Sequence, residues 1–171
     1  MANNFNTQIS TTVEQSKRLL GLGLKTETAD MAWRYQHTVK GEDKYEVSTD
    51  VPTHERKLLW VKCASLRQEF LSHWVNPDGT PMPPEEIYDA VWGKDIPAWS
   101  LHRLIAIMPD LIKDHIEEML YHQTIDANGV MYENMRHELC QFIGNNLYDC
   151  IIDCIEWLIA EEYFFEDYLT R

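Results

Sequence analysis

Residues 146–162, with the sequence NLYDCIIDCIEWLIAEE, are the most clearly patterned stretch of the chain. Asn146 is a favoured helix N-cap, and the pattern predicts a helix from Leu147 to about Glu162. Ten of the thirteen residues 147–159 are apolar, and the exceptions share one narrow face: Asp149, Asp153 and Glu156. A helix this apolar is packed on most of its sides, so we expect it to lie against a β-sheet at the centre of the domain.

The sheet is predicted from the residues that precede this helix. Asn128-Gly129 is a strong hairpin signal and favours strands over roughly 119–125 and 130–132. Residues 139–142 are predicted as a further strand. Apolar residues at 110–120 recur at helical spacing, so we expect a short helix after Pro109, followed by the hairpin.

Two more strands are predicted nearer the N-terminus. Apolar and polar residues alternate over 33–39, which is the pattern of a half-buried strand. Gly41-Glu42-Asp43 has the composition of a turn, and residues 45–47 are predicted to return as the second strand of the pair.

Helices are predicted before, between and after these strands. Thr11 and Glu14 have the spacing of a capping box for a helix over 11–22, and Gly23 supplies the left-handed residue that ends it. Ser100 is a good N-cap for a helix that stops at Pro109, and residues 96–99 are predicted as the break before it. Other predicted helices cover about 26–31, 54–75 and 85–92.

These elements predict a single α+β domain, with several helices packed on a small antiparallel sheet and the apolar helix at the C-terminal end. Apolar residues make up 44% of the 171 residues, enough for a sizeable core. Residues 1–10 are polar and are predicted to be a flexible tail, which leaves 11–171 as the domain. Residues 76–84 contain four prolines and are predicted to be a loop.

The net charge of −13 is distributed unevenly. Residues 1–60 contain eight Lys/Arg and eight Asp/Glu, whereas residues 61–171 contain seven Lys/Arg and twenty Asp/Glu. The second part therefore carries the whole excess. A surface this acidic repels nucleic acid and anionic membranes, so we expect a protein partner, either a host protein or a second copy of the chain.

Hydropathy and cysteine content predict a cytoplasmic protein. No apolar run approaches the roughly 20 residues of a membrane helix, and the N-terminus lacks the pattern of a secretion signal. The four cysteines form no CxxC pair, and Cys150 and Cys154 lie among apolar residues. We interpret these two as core residues and expect no cofactor.

Three blocks of sequence resemble a known group of proteins. The blocks are EQSKRLL-x-LGL-x2-ETADM from Glu14, IPAWSL from Ile96, and NLYD-x3-DCIEWLI from Asn146. Together they resemble a family of small uncharacterised proteins of gut-bacterial genomes, prophages and other mobile elements. The resemblance implies a compact α+β domain and a phage or mobile-element setting. It implies no catalytic residue, since the family has no assigned activity.

One candidate metal site is suggested by spacing. His115, Glu118 and His122 are three and four residues apart, so on a continuous helix they would share one face, as ligands for zinc or iron must. This pattern is the basis for an alternative function, a small metal-dependent enzyme. The same His115 also fits an apolar stripe, which favours a structural role. Phosphate-binding loops and nucleophile elbows are absent from the sequence, which argues against an enzyme.

A second alternative is a DNA-binding regulator. Residues 11–34 are predicted as helix, glycine turn and short helix, and they carry Lys17, Arg18 and Lys25. In helix-turn-helix proteins the second helix enters the major groove and is basic. Here the second helix would carry Glu27 and Asp30, so packing of a helical hairpin explains the pattern better.

Aromatic residues near the proline-rich loop are candidate interface residues. Trp74, Trp92 and Trp99 lie in or beside the proline-rich central stretch of the chain, and aromatic residues on loops often anchor protein interfaces. Burial in the core is the alternative for each. The sequence as a whole predicts a non-enzymatic interaction or accessory protein of phage or mobile-element origin.

Overall fold

The computed structural model describes residues 8–36, 44–64 and 71–170. Its described helices are α1 (Val13–Gly21), α2 (Thr53–Ala64), α3 (Pro84–Trp92), α4 (Leu101–Ile107) and α5 (Leu147–Ala160). Its described strands are β1 (Met31–Gln36), β2 (Lys44–Ser48), β3 (Ile96–Ala98), β4 (Leu111–Lys113), β5 (Leu120–Ile125), β6 (Gly129–Glu133) and β7 (Glu138–Ile143). The predicted α+β class is confirmed.

The strands form two small antiparallel sheets, where the sequence predicted one. The first sheet has the order β2-β1-β3, so β1 is its central strand. Trp33 of β1 lies opposite Val47 of β2 on one side and Ile96 of β3 on the other. The second sheet is a meander with the order β4-β5-β6-β7.

The core lies between α5 and the second sheet. Ile151, Ile152, Ile155 and Leu158 of α5 are completely buried, and α5 packs on β6 and β7. Burial of each such side chain stabilises the fold by about 1.5–3 kcal/mol. Asn146 caps the helix as predicted, because its side chain accepts a hydrogen bond from the backbone N–H of Tyr148.

The two cysteines of α5 are buried, as their apolar surroundings predicted. Cys154 has no exposed surface, and its side chain lies close to that of Cys140. That contact, together with burial, raises the pKa of Cys154 above its ordinary value, so the thiol stays protonated. Cys150 is likewise a core residue, and burial raises the pKa of its thiol.

Helix α1 uses a capping box one residue later than the predicted one. The Thr12 hydroxyl accepts from the backbone N–H of Gln15, and the Gln15 side chain accepts from the backbone N–H of Thr12. The predicted Thr11–Glu14 box is wrong because Thr11 is completely buried. Its hydroxyl instead accepts from the backbone N–H of Trp99 at 3.0 Å, which ties α1 to the end of β3.

The predicted second helix near residue 26 is wrong beyond its first turn. Gly23 does have the left-handed conformation expected of it, with φ of +91°. Thr26–Thr28 then form one 3-10 turn, after which the chain enters β1. Extended backbone prevails there because β1 pairs with strands on both of its edges.

The predicted short helix after Pro109 is also wrong. Strand β4 occupies this position and pairs with β5, so that Ile112 lies opposite Tyr121. Both side chains are buried, whereas Leu111, Ile116 and Leu120, which contribute to the apparent helical stripe, are exposed. Asp114 builds that turn by accepting hydrogen bonds from the backbone N–H groups of Ile116 and Glu117.

Residues 96–98 form strand β3, although they were predicted as a break. Pro97 is compatible with a strand here because β3 lies at the edge of its sheet, where the missing N–H is tolerated. Ser100 then caps α4 as predicted, by accepting from the backbone N–H of Arg103.

The ends of several predicted elements lie outside the described residues, at 1–7, 37–43 and 65–70. Residues 8–10, assigned to the flexible tail, contact the body of the domain. Ser10 is buried, and Gln8 donates a hydrogen bond to the side chain of Gln15. Across the part of the chain that the structure describes, no helix is long and apolar enough to cross a membrane.

The hairpin predicted at Asn128-Gly129 is confirmed between β5 and β6, with a three-residue loop. The Asp126 carboxylate accepts from the backbone N–H groups of Asn128 and Gly129. Gly129 has a negative φ, so its role is not the left-handed turn position that the sequence suggested. It is buried where β6 meets Ile143 of β7, and a Cβ there would collide with the carbonyl oxygen of Phe142.

We therefore expect Gly129→Ala to lower the free energy of unfolding by about 1–3 kcal/mol, because the two strands would have to move apart. Gly21→Ala is the matched control, since a Cβ at Gly21 meets nothing within 4 Å and alanine favours the helix. Urea denaturation of both variants measures the difference. Equal stability of the two variants would contradict the close strand approach.

Candidate functional site

A buried carboxylate lies at the junction of the first sheet with α2 and α3. Asp95 occupies the loop between α3 and β3, and its side chain is 1% exposed. Its Oδ1 accepts from the backbone N–H of Tyr35 at 2.9 Å. Its Oδ2 accepts from Nη1 of Arg34 at 2.9 Å and from Nη1 of Arg56 at 3.1 Å. Asp95 therefore joins β1, α2 and the α3–β3 loop.

The two arginines differ in exposure and in how many of their hydrogen-bond donors are paired within the protein. Arg34 is 13% exposed and also donates through Nη2 to the carbonyl of Val51. Arg56 is 33% exposed and lies over the ring of Trp92, with its Cζ 4.9 Å from the ring centroid. Two cations thus share one buried anion, which leaves one positive charge of the cluster without a directly paired anion among the described residues.

An open cavity of about 470 Å³ lies against this cluster. Its walls include both arginines, Asp95 and Trp92, with the exposed Asp50 also on its lining. Behind Trp92 the rings of Trp60 and Tyr88 pack at centroid distances of 4.9 and 5.1 Å. Burial raises the pKa of Tyr88, so its hydroxyl stays protonated and donates to the carbonyl of Thr53. The aromatic cluster makes this wall rigid.

A groove of about 590 Å³ runs along a different face of α2. Its lining is mainly apolar, from Leu58, Val61 and Pro97, together with the stems of charged side chains. Leu58 is 69% exposed and its neighbour Leu59 is 53% exposed. This face of α2 is therefore open to solvent, although an amphipathic helix normally buries its leucines.

Two side chains that line this groove have polar atoms without hydrogen-bond partners. The Oγ1 of Thr53 and the Nδ1 of His54 are buried and unpaired within the described structure. Each such atom costs free energy, about 1–3 kcal/mol. Both atoms are inaccessible from the groove, so its open surface is mainly apolar.

The predicted metal ligands are not brought together as a helical face. His115 and Glu118 lie in the turn between β4 and β5, and His122 lies in β5. The His115 ring stacks on Tyr163 at a centroid distance of 4.5 Å, while Glu118 forms an ion pair with Lys113 at 3.4 Å. Among the described residues, no three His, Cys, Asp or Glu side chains form a group that could hold a metal.

The three candidate interface tryptophans have different environments. Trp99 is completely buried, and its indole N–H donates to the Thr28 hydroxyl at 3.0 Å, so in this structure it is a core residue. Trp92 is partly buried and forms a wall of the cavity. Trp74 is partly buried, and its carbonyl accepts from the backbone N–H of Met82 across the proline-rich loop.

The helical hairpin proposed for DNA binding is not formed, because its second helix is replaced by a 3-10 turn and a strand. Its basic residue Arg18 instead binds two acidic side chains of α5, Asp153 at 2.7 Å and Glu156. Gln15 donates to the third acidic side chain of that face, Asp149. The acidic face of α5 is therefore partly covered by α1.

No protein-family model, curated protein or solved structure matches the chain. The resemblance to proteins of phages and mobile elements stays a prediction. The class that the structure defines is an α+β domain with two antiparallel sheets, an open apolar groove along α2 and an arginine-lined cavity beside it.

Sequence reasoning did not single out Arg34, Arg56 or Asp95. The three residues lie on a strand, a helix and a loop, so no spacing along the chain relates them. A weak signal was available in Arg34, which is a charged residue in the central strand of a sheet. Such a residue needs a buried partner of opposite charge.

Proposed function

We propose that this chain is a non-enzymatic interaction protein that binds an apolar segment of a partner protein in the groove along α2. The observation that carries the proposal is the open apolar groove, with Leu58 69% exposed at its edge. Contiguous exposed apolar surface of this kind is unfavourable in water and marks interaction sites. A partner helix or strand with apolar side chains would cover it.

The charge of the molecule supports a protein partner rather than nucleic acid. The net charge is −13, which opposes binding to a phosphate backbone. The resemblance of three sequence blocks to proteins of prophages and mobile elements supports an accessory role in that setting, with a host protein as the partner.

The groove is tested with Leu58→Glu, which places a charge on its apolar lining. We expect unchanged thermal stability, within about 0.5 kcal/mol, because Leu58 is exposed. The partner is the protein that the unaltered chain retains from host lysate. We expect the variant to bind it at least about tenfold more weakly, because the introduced carboxylate would lose its hydration in the contact. Titration with the purified partner measures both affinities.

Met135→Glu is the matched control, since Met135 is fully exposed in the turn between β6 and β7, away from α2. This variant should retain the partner as the unaltered chain does. Equal retention by Leu58→Glu and Met135→Glu would overturn the groove as the site. Retention of nothing by any form would overturn the interaction function.

A further inference from the structure

We propose that the arginine-lined cavity, which lies beside the α2 groove and shares Asp95 with it, is a second binding site, for a small monocarboxylate that carries an aromatic or other flat apolar group. The carboxylate would bind Arg56, and the apolar group would lie against Trp92. Both residues line the cavity of about 470 Å³, which lies within the size range of small-molecule sites.

The charge balance of the cluster leaves room for one anion. Arg34 and Arg56 each carry a full positive charge, and the buried Asp95 neutralises one of them. Asp95 cannot move to solvent, because its side chain is 1% exposed and held by three hydrogen bonds. A bound carboxylate would pair with the remaining charge, because the exposed Asp50 on the same lining forms no ion pair with either arginine among the described residues.

Arg56 has the free donors that such a ligand needs. Within the described structure its guanidinium donates to Asp95 through Nη1, and its other N–H groups make no hydrogen bond to the protein. Its position over Trp92 restrains the guanidinium, so that its N–H groups are pre-organised to bind a planar carboxylate. Arg34, in contrast, already uses both of its Nη groups.

The surroundings favour a monoanion over a phosphate. Asp50 is exposed on the cavity lining, and the whole molecule carries a net charge of −13. A group with nearly two negative charges would be repelled by both, and the cluster has only one positive charge to offer. The part of Trp92 that lines the cavity adds apolar contact that inorganic phosphate cannot use.

Titration with sodium benzoate tests the site, followed by amide and indole chemical shifts in NMR spectra of the full chain. We expect saturable binding with a dissociation constant of about 1 mM, as the few heavy atoms of benzoate allow. Shifts should centre on Trp92 and Arg56. Benzamide, which has the same shape without charge, and inorganic phosphate should each bind at least about tenfold more weakly.

Variants distinguish the cavity from other sites. Arg56→Gln should weaken benzoate binding at least about tenfold. Arg56→Lys should weaken it less, because lysine keeps the positive charge but lacks the paired N–H groups of the guanidinium. Arg18→Gln is the matched control, since Arg18 pairs with α5 instead. Leu58→Glu should also leave benzoate binding unchanged, so failure of the groove and failure of the cavity are separate results.

Three outcomes would overturn the proposal. These are the absence of saturable benzoate shifts, equal binding of benzamide, and tighter binding of phosphate. Unchanged benzoate affinity in both Arg56 variants, in spectra that show a folded protein, would overturn it as well. Should Arg56→Gln not fold, Arg56→Lys carries the test, because it keeps a positive charge beside Asp95.

Discussion

Asp95→Ala is expected to lower the free energy of unfolding by about 3 kcal/mol, because it leaves two arginines without their shared anion. Arg34 is only 13% exposed, so its charge cannot reach water without movement of the chain. The backbone N–H of Tyr35 also loses its acceptor. Arg56, at 33% exposed, can turn partly towards solvent, which keeps the loss from being larger.

Urea denaturation at neutral pH measures this loss, and Asp153→Ala is the control. Asp153 also accepts from an arginine, at 2.7 Å from Arg18, but both side chains are nearly half exposed. Removal of an exposed pair costs less than about 1 kcal/mol. Equal losses for the two variants would show that the Asp95 cluster is not the buried network described here.

Trp99→Ala is expected to produce the largest loss of stability of a single side chain, about 4 kcal/mol. The indole is completely buried, and its N–H donates to Thr28. The backbone around it is also bonded to Thr11, at the start of α1. A cavity at this point would therefore loosen the contact between α1, β3 and the residues that lead into β1.

Trp99→Phe separates the two contributions, because it keeps an aromatic ring and removes the indole N–H. We expect it to cost about 1–3 kcal/mol, from the lost hydrogen bond and the smaller volume. Thermal unfolding followed by circular dichroism compares both variants with the unaltered chain. A midpoint for Trp99→Ala close to the original one would return Trp99 to the list of interface candidates. If Trp99→Ala does not fold at all, Trp99→Phe still gives the measurement.

Elements that depend on local patterns were predicted well. Helix α5 was predicted from its N-cap and its apolar residues, and α4 from Ser100 and the stop at Pro109. The β5–β6 hairpin was predicted from its turn residues. In each case the residues that determine the structure lie within a few positions of one another, so the element can be predicted from the local sequence.

Elements that depend on distant partners were predicted poorly. Residues 110–120 have the apolar spacing of a helix, yet β4 forms because it pairs with β5 and together they cover the core. Residues 96–98 look like a break because of Pro97, yet they pair with β1 as an edge strand. The pairing strand, rather than the local sequence, decided the conformation in both cases.

The candidate metal site assumed a continuous helix that does not form. His115, Glu118 and His122 have helical spacing, but the structure places them in a turn and a strand. A spacing argument holds only if the element that it assumes is formed. Trp99 was a candidate interface residue because of its position along the chain, which does not reveal that tertiary packing buries its side chain.

The sequence by itself determined the α+β class, the central apolar helix, the hairpin and the strongly acidic surface. Only the tertiary structure brought Arg34, Arg56 and Asp95 together and left the α2 groove open. Periodicity and capping act between residues that are near in the chain, so they can be read from it. An ion cluster and a groove form between residues far apart in sequence, because the packing of separate elements places them side by side.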